Sequence, residues 1–386
     1  MNIALVMLPY HSDEPAGIER SLASLAAGLR ELGHRTIVVA AGSRHAVTDP
    51  DVVHLTSVTF PRPVPYEEIP ALLADTATIG QEVRQILEDH ETDIVVWGDA
   101  VSGLGFLGPA PRSARTALMV HFPRTDDGMH QSLAHKPDAV ITVSPFMVEE
   151  AARAGIDSST WRTLPNALLC KEDPPARARR EELRRTGPVR VVARADPAKG
   201  VADLLRCVPP ELNRPVQIVL AKAGFEISPG LQDAYLRECS ELADALDAVE
   251  LLPPLPWNEV QSFFAGAAVA VVPSTAPESF CNVAAEALSV GTPVLGFRMG
   301  HLPVLAGPGG RTVDVTSTGE ESLPVLTGPA AHMPSVARHM RTLWDATTGL
   351  LDDHDGYHTA SRHGPSQTAS YTPAAVAEQF LRMMES

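Results

Sequence analysis

Residues 2–40 read NIALVMLPYHSDEPAGIERSLASLAAGLRELGHRTIVVA. The apolar runs at 2–8 and 36–40 are typical of buried parallel strands. Between them, the segment Ile18–Leu32 shows helical periodicity and is followed by Gly33, a residue that commonly terminates helices. The apolar face of this helix consists of Leu22, Leu25, Ala26 and Leu29. The stretch therefore predicts a strand–helix–strand unit with a right-handed crossover.

The same alternation of strands and helices recurs along the chain. The patterns predict strands at 93–97, 116–121, 139–143, 189–193, 216–220, 249–251, 268–272 and 293–297, and helices at 69–87, 145–154 and 373–384. A segment rich in Pro, Arg and Glu, with no clear apolar period beyond a possible short helix, predicts a linker at 171–188, and a Gly/Ser/His-rich stretch at 349–370 precedes the last helix. We expect an α/β fold of two Rossmann-like doubly wound domains that face a cleft. The first domain comprises 1–170 with the returning terminal helix 371–386, and the second comprises 171–370.

Length and composition exclude several classes of protein. A chain of 386 residues with 44% hydrophobic and 20% charged residues suits two globular domains. The net charge of -16 disfavours binding to nucleic acid or an anionic membrane. The four cysteines form no CxxC pair, no apolar run approaches the length of a membrane span, and the N-terminal run is too short for a signal peptide. We therefore expect a cytoplasmic protein without a stable membrane association.

The most informative motif is PSTAPESFCNVAAEALSVGTPV at 273–294. Glu278 follows a predicted strand, and Glu286 stands eight residues later in an otherwise apolar helix. A carboxylate in such a helix requires compensation, which two ribose hydroxyls would supply by donating hydrogen bonds. The amides of Phe280, Cys281 and Asn282 would lie at the helix N-terminus, which suits a hydroxyl or phosphate oxygen. The alternative is an ordinary capping loop with a solvent-facing glutamate.

This segment resembles the glutamate-x7-glutamate motif of retaining glycosyltransferases with the GT-B fold, particularly family four. The resemblance implies that Glu286 holds the ribose of a nucleotide and that Glu278 faces the hexose of the donor. The family usually has Glu-Gly-Phe-Gly at residues 278–281. In this chain Ser279 and Cys281 replace the two glycines, which leaves the identity of the hexose open.

A second segment, VVARADPAKG at 191–200, is similar to a strand–loop of the same family. By this resemblance Arg194 and Lys199 would bind the donor diphosphate, and Ala193 replaces a common glycine. Arginine offers a bidentate fork to phosphate and lysine a point charge, so both stabilise charge on the leaving nucleotide. The alternative for such residues is a solvated surface loop.

The N-terminal half also carries positions that match the family. Gly17, preceded by Ala16 in place of a first glycine, resembles the helix entry whose amides approach the diphosphate. His121 follows a predicted strand where the family has a histidine beside the hexose. Ser144 and Asn166 match recurrent positions that we interpret as architectural. Neither of the motif segments, 191–200 and 273–294, contains an Asp-x-Asp triplet, so we expect no metal and no cofactor besides the donor substrate.

Taken together, the resemblance implies retaining transfer of a hexose from a nucleoside-diphosphate sugar, usually a UDP-sugar, to a small soluble acceptor. The acidic pairs Asp13–Glu14 and Asp126–Asp127 follow predicted strands, and they favour a cationic acceptor such as an amino sugar or aminocyclitol in natural-product biosynthesis. These residues are alternatively solvated loop charges. A catalytically silent binding subunit of the same fold and a nucleotide-sugar epimerase are the competing functions. The oligomeric state is left open.

Overall fold

The computed structural model describes residues 1–11, 17–42, 49–98, 110–121, 124, 126–315 and 334–385. Contacts divide the chain into two units. The N-terminal unit comprises Met1–Leu169, Ala223–Pro229 and Tyr371–Ser386, and the C-terminal unit comprises Cys170–Lys222 and Gly230–Ser370. Each unit is built around a parallel sheet flanked by helices. The prediction of a doubly wound α/β fold is therefore confirmed.

The N-terminal unit contains a seven-stranded parallel sheet of order β3-β2-β1-β5-β6-β7-β8. Its strands are β1 (Asn2–Val6), β2 (Arg35–Gly42), β3 (Val52–Thr59), β5 (Ile94–Trp97), β6 (Arg115–Val120), β7 (Ala139–Thr142) and β8 (Arg162–Thr163), and a separate parallel pair joins β4 (Val64–Pro65) to β11 (Phe225–Glu226). Its helices are α1 (Gly17–Glu31), α2 (Ile69–Leu72), α3 (Thr76–Asp89), α4 (Asp127–Ala134), α5 (Pro145–Arg153) and the C-terminal helix, which is α14 (Pro373–Glu385).

One layer of the core of this unit lies between the sheet and helices α1 and α14. Leu22, Leu25 and Leu29 of α1 are buried, as their spacing predicts, together with Val376 and Phe380 of α14. The last helix of the chain is thus part of the same apolar core as the first.

The predicted helix at 69–87 is wrong in one respect, because the chain forms two helices there. The first, α2, ends at Leu72, and α3 begins at Thr76. The carboxylate of Asp75 accepts a hydrogen bond from the amide of Thr78 at 3.2 Å and so caps a new helix. A side chain that caps an N-terminus restarts the helix without interrupting the apolar pattern, which explains why periodicity alone did not reveal the break.

The C-terminal unit contains a six-stranded parallel sheet of order β12-β10-β9-β13-β14-β15. Its strands are β9 (Val189–Arg194), β10 (Val216–Ala221), β12 (Val249–Leu252), β13 (Val269–Val272), β14 (Val294–Phe297) and β15 (Gly310–Val313). Its helices are α6 (Arg177–Thr186), α7 (Val201–Arg206), α8 (Leu231–Asp244), α9 (Val260–Ala265), α10 (Asn282–Ser289), α11 (Leu302–Ala306), α12 (Pro334–Asp352) and α13 (His354–Gln367).

Two segments of this unit are more regular than their composition suggested. The stretch at 349–370 belongs mainly to α12 and α13, and Asp353 caps α13 by accepting from the amide of Gly356 at 2.9 Å. Within the predicted linker, α6 is anchored by Arg180, whose buried guanidinium donates to the carbonyls of Ala267 and Val290 at 2.8 and 2.7 Å. A buried arginine that satisfies several carbonyls fixes its helix to the sheet.

Candidate functional site

The sheet order of the C-terminal unit reverses between β9 and β13, which pair in parallel at its centre. In doubly wound sheets ligands bind at such a switch point, beyond the carboxyl ends of the strands. Three loops meet there. The amide of Thr275, after β13, donates to the carbonyl of Ala198, after β9, at 2.9 Å. The amide of His301, after β14, donates to the carbonyl of Glu278 at 2.8 Å.

Two glycines allow these loops to approach one another. A Cβ on Gly200 would lie 2.1 Å from the carbonyl oxygen of Pro273, and one on Gly300 would lie 2.3 Å from that of Glu278. Both residues also have positive φ values, +68° and +60°, which side chains disfavour. Since neither the space nor the backbone conformation tolerates a larger residue, these glycines fix the distance between the loops.

The centre of the site is an ion pair between the predicted residues Lys199 and Glu278. Lys199 Nζ donates to Glu278 Oε1 at 2.7 Å, and the Ser274 hydroxyl donates to the same oxygen. Burial acts to raise the pKa of Glu278, but the nearby charge of Lys199 and these hydrogen bonds outweigh it and hold that pKa below its usual range. The site therefore presents an ionised carboxylate with a cation fixed beside it at neutral pH.

Arg194 ends β9 and forms an ion pair with Asp196, a residue that the sequence reasoning did not single out. The second oxygen of Asp196 accepts from the amide of Ala198 at 2.9 Å, so this carboxylate shapes the loop. Burial acts to raise the pKa of Asp196, yet the charge of Arg194 keeps it lowered. Arg194 is thus oriented toward the loop that carries Lys199.

Helix α10 supplies the other predicted residues of the motif. Phe280 and Cys281 are buried at its start, Asn282 is its first residue, and Glu286 is buried within it, with 4% of its surface exposed. This burial agrees with the prediction that Glu286 does not face solvent.

Cys281 adopts φ +79°, a left-handed conformation that favours glycine. Burial raises the pKa of its thiol. The glycine that the family usually has at this position would adopt the same backbone conformation without strain.

His301 is a further residue of the site that the sequence reasoning missed. Its ring stacks on that of Phe280 with centroids 5.8 Å apart, and it is buried. Its position just after the predicted strand at 293–297 could have marked it as a site residue. Ser274 belongs to the motif at 273–294, but its hydrogen bond to Glu278 was not predicted.

The predicted residues of the N-terminal unit occupy the carboxyl edge of its own sheet. Gly17 is the first residue of α1, and His121 directly follows β6. Desolvation lowers the pKa of the buried His121 to about 4, so its ring is neutral at physiological pH. Ser21 Oγ of α1 donates to Asn166 Oδ1 at 2.7 Å in the interior, which fits an architectural role for Asn166.

The acidic pairs have different surroundings. Asp13 and Glu14 lie outside the described residues. Asp126 caps α4 by accepting from the amide of Met129 at 3.1 Å and forms an ion pair with Arg124, whereas Asp127 is exposed in the first turn. Asp126 therefore caps a helix, which the sequence did not predict. Of the two carboxylates, Asp127 is the one that is exposed without this capping role.

No helix within the described ranges is both long enough and apolar enough to cross a membrane.

Comparisons with known proteins give a glycosyltransferase family match for each half of the chain. The family described as Glycosyltransferase Family 4 matches residues 15–168, and the family described as Glycosyl transferases group 1 matches residues 189–342. A D-inositol 3-phosphate glycosyltransferase from Thermobifida fusca is 37% identical over 188 residues, which cover 43% of this chain and 42% of the relative. The matched segments span about half the length of the first curated relatives.

Solved structures share the fold over the full chain. Sucrose-phosphate synthase from Thermosynechococcus elongatus aligns with a TM-score of 0.73 at 17% identity, covering 99% of this chain and 98% of that one. HepE from Anabaena, in complex with UDP and glucose, aligns with a TM-score of 0.67 at 17% identity and covers 100% of both chains. The chain therefore shares the GT-B fold of these proteins. A glycosyltransferase family matches each half of it, in agreement with the resemblance to family four.

Proposed function

We propose that this protein transfers a hexose from a UDP-sugar to a hydroxyl group of a small polyhydroxylated acceptor, with retention at the anomeric carbon. The observation that carries the proposal is the Lys199–Glu278 ion pair at 2.7 Å, set at the switch point of the sheet and followed by the buried Glu286 of α10. In this proposal Lys199 contacts the diphosphate of the donor, Glu278 its hexose and Glu286 its ribose.

Two cations at the site support a diphosphate donor. Lys199 forms an ion pair with Glu278, and Arg194 forms an ion pair with Asp196. A departing nucleoside diphosphate brings additional negative charge to these cations, and preorganised cations stabilise charge that grows in the transition state. We therefore propose that catalysis proceeds without a divalent metal ion, since the positive charge is supplied by side chains.

Retention is proposed to follow from front-face displacement. In that mechanism the acceptor hydroxyl attacks the anomeric carbon from the side on which the diphosphate leaves, and the leaving phosphate takes the hydroxyl proton. The new bond joins acceptor oxygen and sugar, and the bond to the diphosphate oxygen breaks. Glu278 is held by Lys199 and Ser274, which suits it to orient the hexose rather than to form a covalent intermediate of the kind that retaining glycosidases use.

The acceptor class is proposed from the relatives together with the acidic residues. Several relatives carry the name D-inositol 3-phosphate glycosyltransferase, which points to a cyclitol. In this chain Asp127 is exposed after His121. A carboxylate there favours a neutral or cationic cyclitol, such as an aminocyclitol, over a phosphorylated one.

The test is a transfer assay that reports stereochemistry. The protein is incubated with UDP-glucose, UDP-N-acetylglucosamine or GDP-mannose and with inositol, inositol 3-phosphate or an aminocyclitol, and the first-formed product is examined by proton NMR. We expect an α-glycoside from an α-linked UDP-sugar, with an unchanged initial rate in EDTA. A β-glycoside would refute retention, and Mg²⁺-reversible inhibition by EDTA would refute metal-free catalysis. Absence of both transfer and donor hydrolysis would favour the binding-subunit alternative.

A further inference from the structure

A cluster of metal-ligating side chains joins α6 and α13 in the C-terminal unit. Glu181 lies on α6, and His354 and His358 lie one turn apart on α13. Residues at i and i+4 project from the same face of a helix, so both imidazoles face Glu181. Among the residues that the structure describes, this is the group of three His, Cys, Asp or Glu side chains whose ligand atoms all lie within 4.8 Å of one another.

The ligand atoms converge on one carboxylate oxygen. Nε2 of His358 lies 2.9 Å from Oε2 of Glu181, and Nε2 of His354 lies 3.8 Å from the same oxygen. The two imidazole rings are 4.7 Å apart between centroids and inclined at 63°. Small rotations of these side chains would bring all three atoms to the 2.0–2.2 Å bond lengths that zinc accepts from histidine and carboxylate.

The neighbouring residues orient the ligands as in known zinc sites. Nδ1 of His354 lies 2.9 Å from Oδ1 of Asp355, so the carboxylate accepts its N–H and directs Nε2 inward. Zinc-binding histidines almost always have such a partner on the second nitrogen. Arg184 donates to both oxygens of Glu181 at 2.8 Å and thereby fixes the carboxylate, although its charge lowers the affinity for a cation.

Glu181 and His354 are partly exposed to solvent, which gives a metal ion a path to the three side chains and leaves space for a water ligand. The side chain of His358 is 6% exposed, that of Glu181 29% and that of His354 50%. One side of the cluster thus faces the interior and the other faces solvent, from which a water molecule can complete a tetrahedral site.

We propose that Glu181, His354 and His358 form a zinc site that links α6 to α13, separate from the donor site and without a part in sugar transfer. Two imidazoles and one carboxylate are ligands of the type that zinc prefers, whereas calcium and magnesium favour sets composed of oxygen atoms. The bound ion would join residues 177 positions apart in the sequence.

The link would stabilise the packing of α13 against the rest of the C-terminal unit. Helix α13 is joined to the segment after α10, because Ser361 Oγ donates to the carbonyl of Gly291 at 2.7 Å. It is also joined to the sheet, because Tyr357 donates to the carbonyl of Ala268 at 2.8 Å. A metal ion that binds only the folded state raises the free energy of unfolding according to its free concentration and its affinity. Zinc would therefore stabilise the C-terminal unit.

The proposal is tested with the full-length, untagged protein by titration with Zn²⁺ against a chromogenic chelator, together with thermal unfolding. We expect one Zn²⁺ per chain and a higher unfolding temperature with Zn²⁺. His354→Ala and His358→Ala should each weaken binding by about 100-fold or more, since the loss of a ligand exceeds the 10–100-fold effect of losing an outer partner. His354 is half exposed, so its variant should fold even if His358→Ala does not.

His135→Ala, at an exposed position of the N-terminal unit, is the matched control and should bind Zn²⁺ as the wild type does. Co²⁺ should give the visible absorption of a tetrahedral complex in the wild type, and His354→Ala should abolish it. Stoichiometric binding that is equal in the wild type and His354→Ala would overturn the proposal, as would the absence of Zn²⁺ binding. Either result would show that the cluster is a network of hydrogen bonds and ion pairs alone.

Discussion

Nζ of Lys199 lies 2.7 Å from Oε1 of Glu278, although the two residues are 79 positions apart in the sequence. Their side chains are 30% and 13% exposed, so solvent screens the pair only in part. The carboxylate has a lowered pKa and stays ionised at neutral pH. Two loops that follow neighbouring strands thus place a cation and an anion at one edge of the sheet.

Replacing Lys199 tests whether this cation stabilises the leaving diphosphate. We expect Lys199→Met to lower kcat about 100-fold, the effect of removing one preorganised group that stabilises transition-state charge. The affinity for the donor should change less, because the charge grows as the nucleotide leaves. Initial rates at saturating donor, with calorimetry for the affinity, measure the two effects separately.

A matched control is Lys222→Met, which removes a lysine paired with Asp233 in an exposed ion pair of the same unit. Its rate should equal that of the wild type. Equal rates for Lys199→Met and Lys222→Met would refute the role of Lys199.

Glu286 is tested by an isosteric change that removes its charge. We expect Glu286→Gln to weaken UDP binding by about 1.5–3 kcal/mol, the contribution of hydrogen bonds that involve a charged group. The variant should bind a UDP analogue without ribose hydroxyls as the wild type does, because the lost bonds are those to the hydroxyls. Calorimetry with both ligands measures this, and Glu241→Gln, at an exposed position of α8, is the control. Unchanged UDP affinity in Glu286→Gln would rule out the ribose contact.

The left-handed conformation of Cys281 predicts that Cys281→Gly and Cys281→Ala differ in stability. Cys281→Ala and Cys281→Gly both remove the buried thiol, but only glycine adopts φ +79° without strain. We therefore expect the glycine variant to be more stable than the alanine variant by about 1 kcal/mol. Urea unfolding of both proteins gives the comparison. A less stable glycine variant would show that residue 281 is not strained.

His121 predicts a dependence of stability on pH. Burial lowers its pKa from 6.5 to about 4, so between these values the unfolded chain binds a proton that the folded protein does not. The stability linked to neutral His121 is complete above about pH 6.5 and is lost as the pH falls toward 4, by about 3 kcal/mol in total. His121→Asn should flatten this part of the curve of unfolding free energy against pH. The exposed His135→Asn should leave it unchanged, and a wild-type curve that His121→Asn does not flatten would contradict the assignment.

The acidic pair after His121 tests the proposed charge of the acceptor. Asn replaces Asp well as a helix cap, so Asp126→Asn combined with Asp127→Asn removes the charges and keeps α4 capped. We expect a higher KM for an aminocyclitol and a weaker dependence of that KM on salt, with an unchanged rate of donor hydrolysis. Steady-state kinetics at two ionic strengths measure this. If a neutral polyol is as good an acceptor as its amino analogue, the cationic acceptor is refuted.

The fold could be predicted well where burial is uniform. Strands β1 and β5 lie at the centre of the N-terminal sheet, and β13 lies at the centre of the C-terminal sheet. Their residues form apolar runs in the sequence, because both faces of a parallel sheet are covered. Strands at the edges of the sheets and the N-termini of helices were predicted less well. Strand β3 is an edge strand with a mixed burial pattern, and Asp75 and Asp353 begin helices through single hydrogen bonds that periodicity does not register.

The sequence by itself determined two cycles of alternating strands and helices, the motif that holds Glu278 and Glu286, and the loop that holds Arg194 and Lys199. These features are local, since spacing and residue type express them within about twenty positions. Only the tertiary structure decided the partners: Lys199 with Glu278 across 79 positions, and Glu181 with His358 across 177. Strand order and helix packing bring such residues together, and no local pattern encodes a contact between segments that meet only after the sheet has formed.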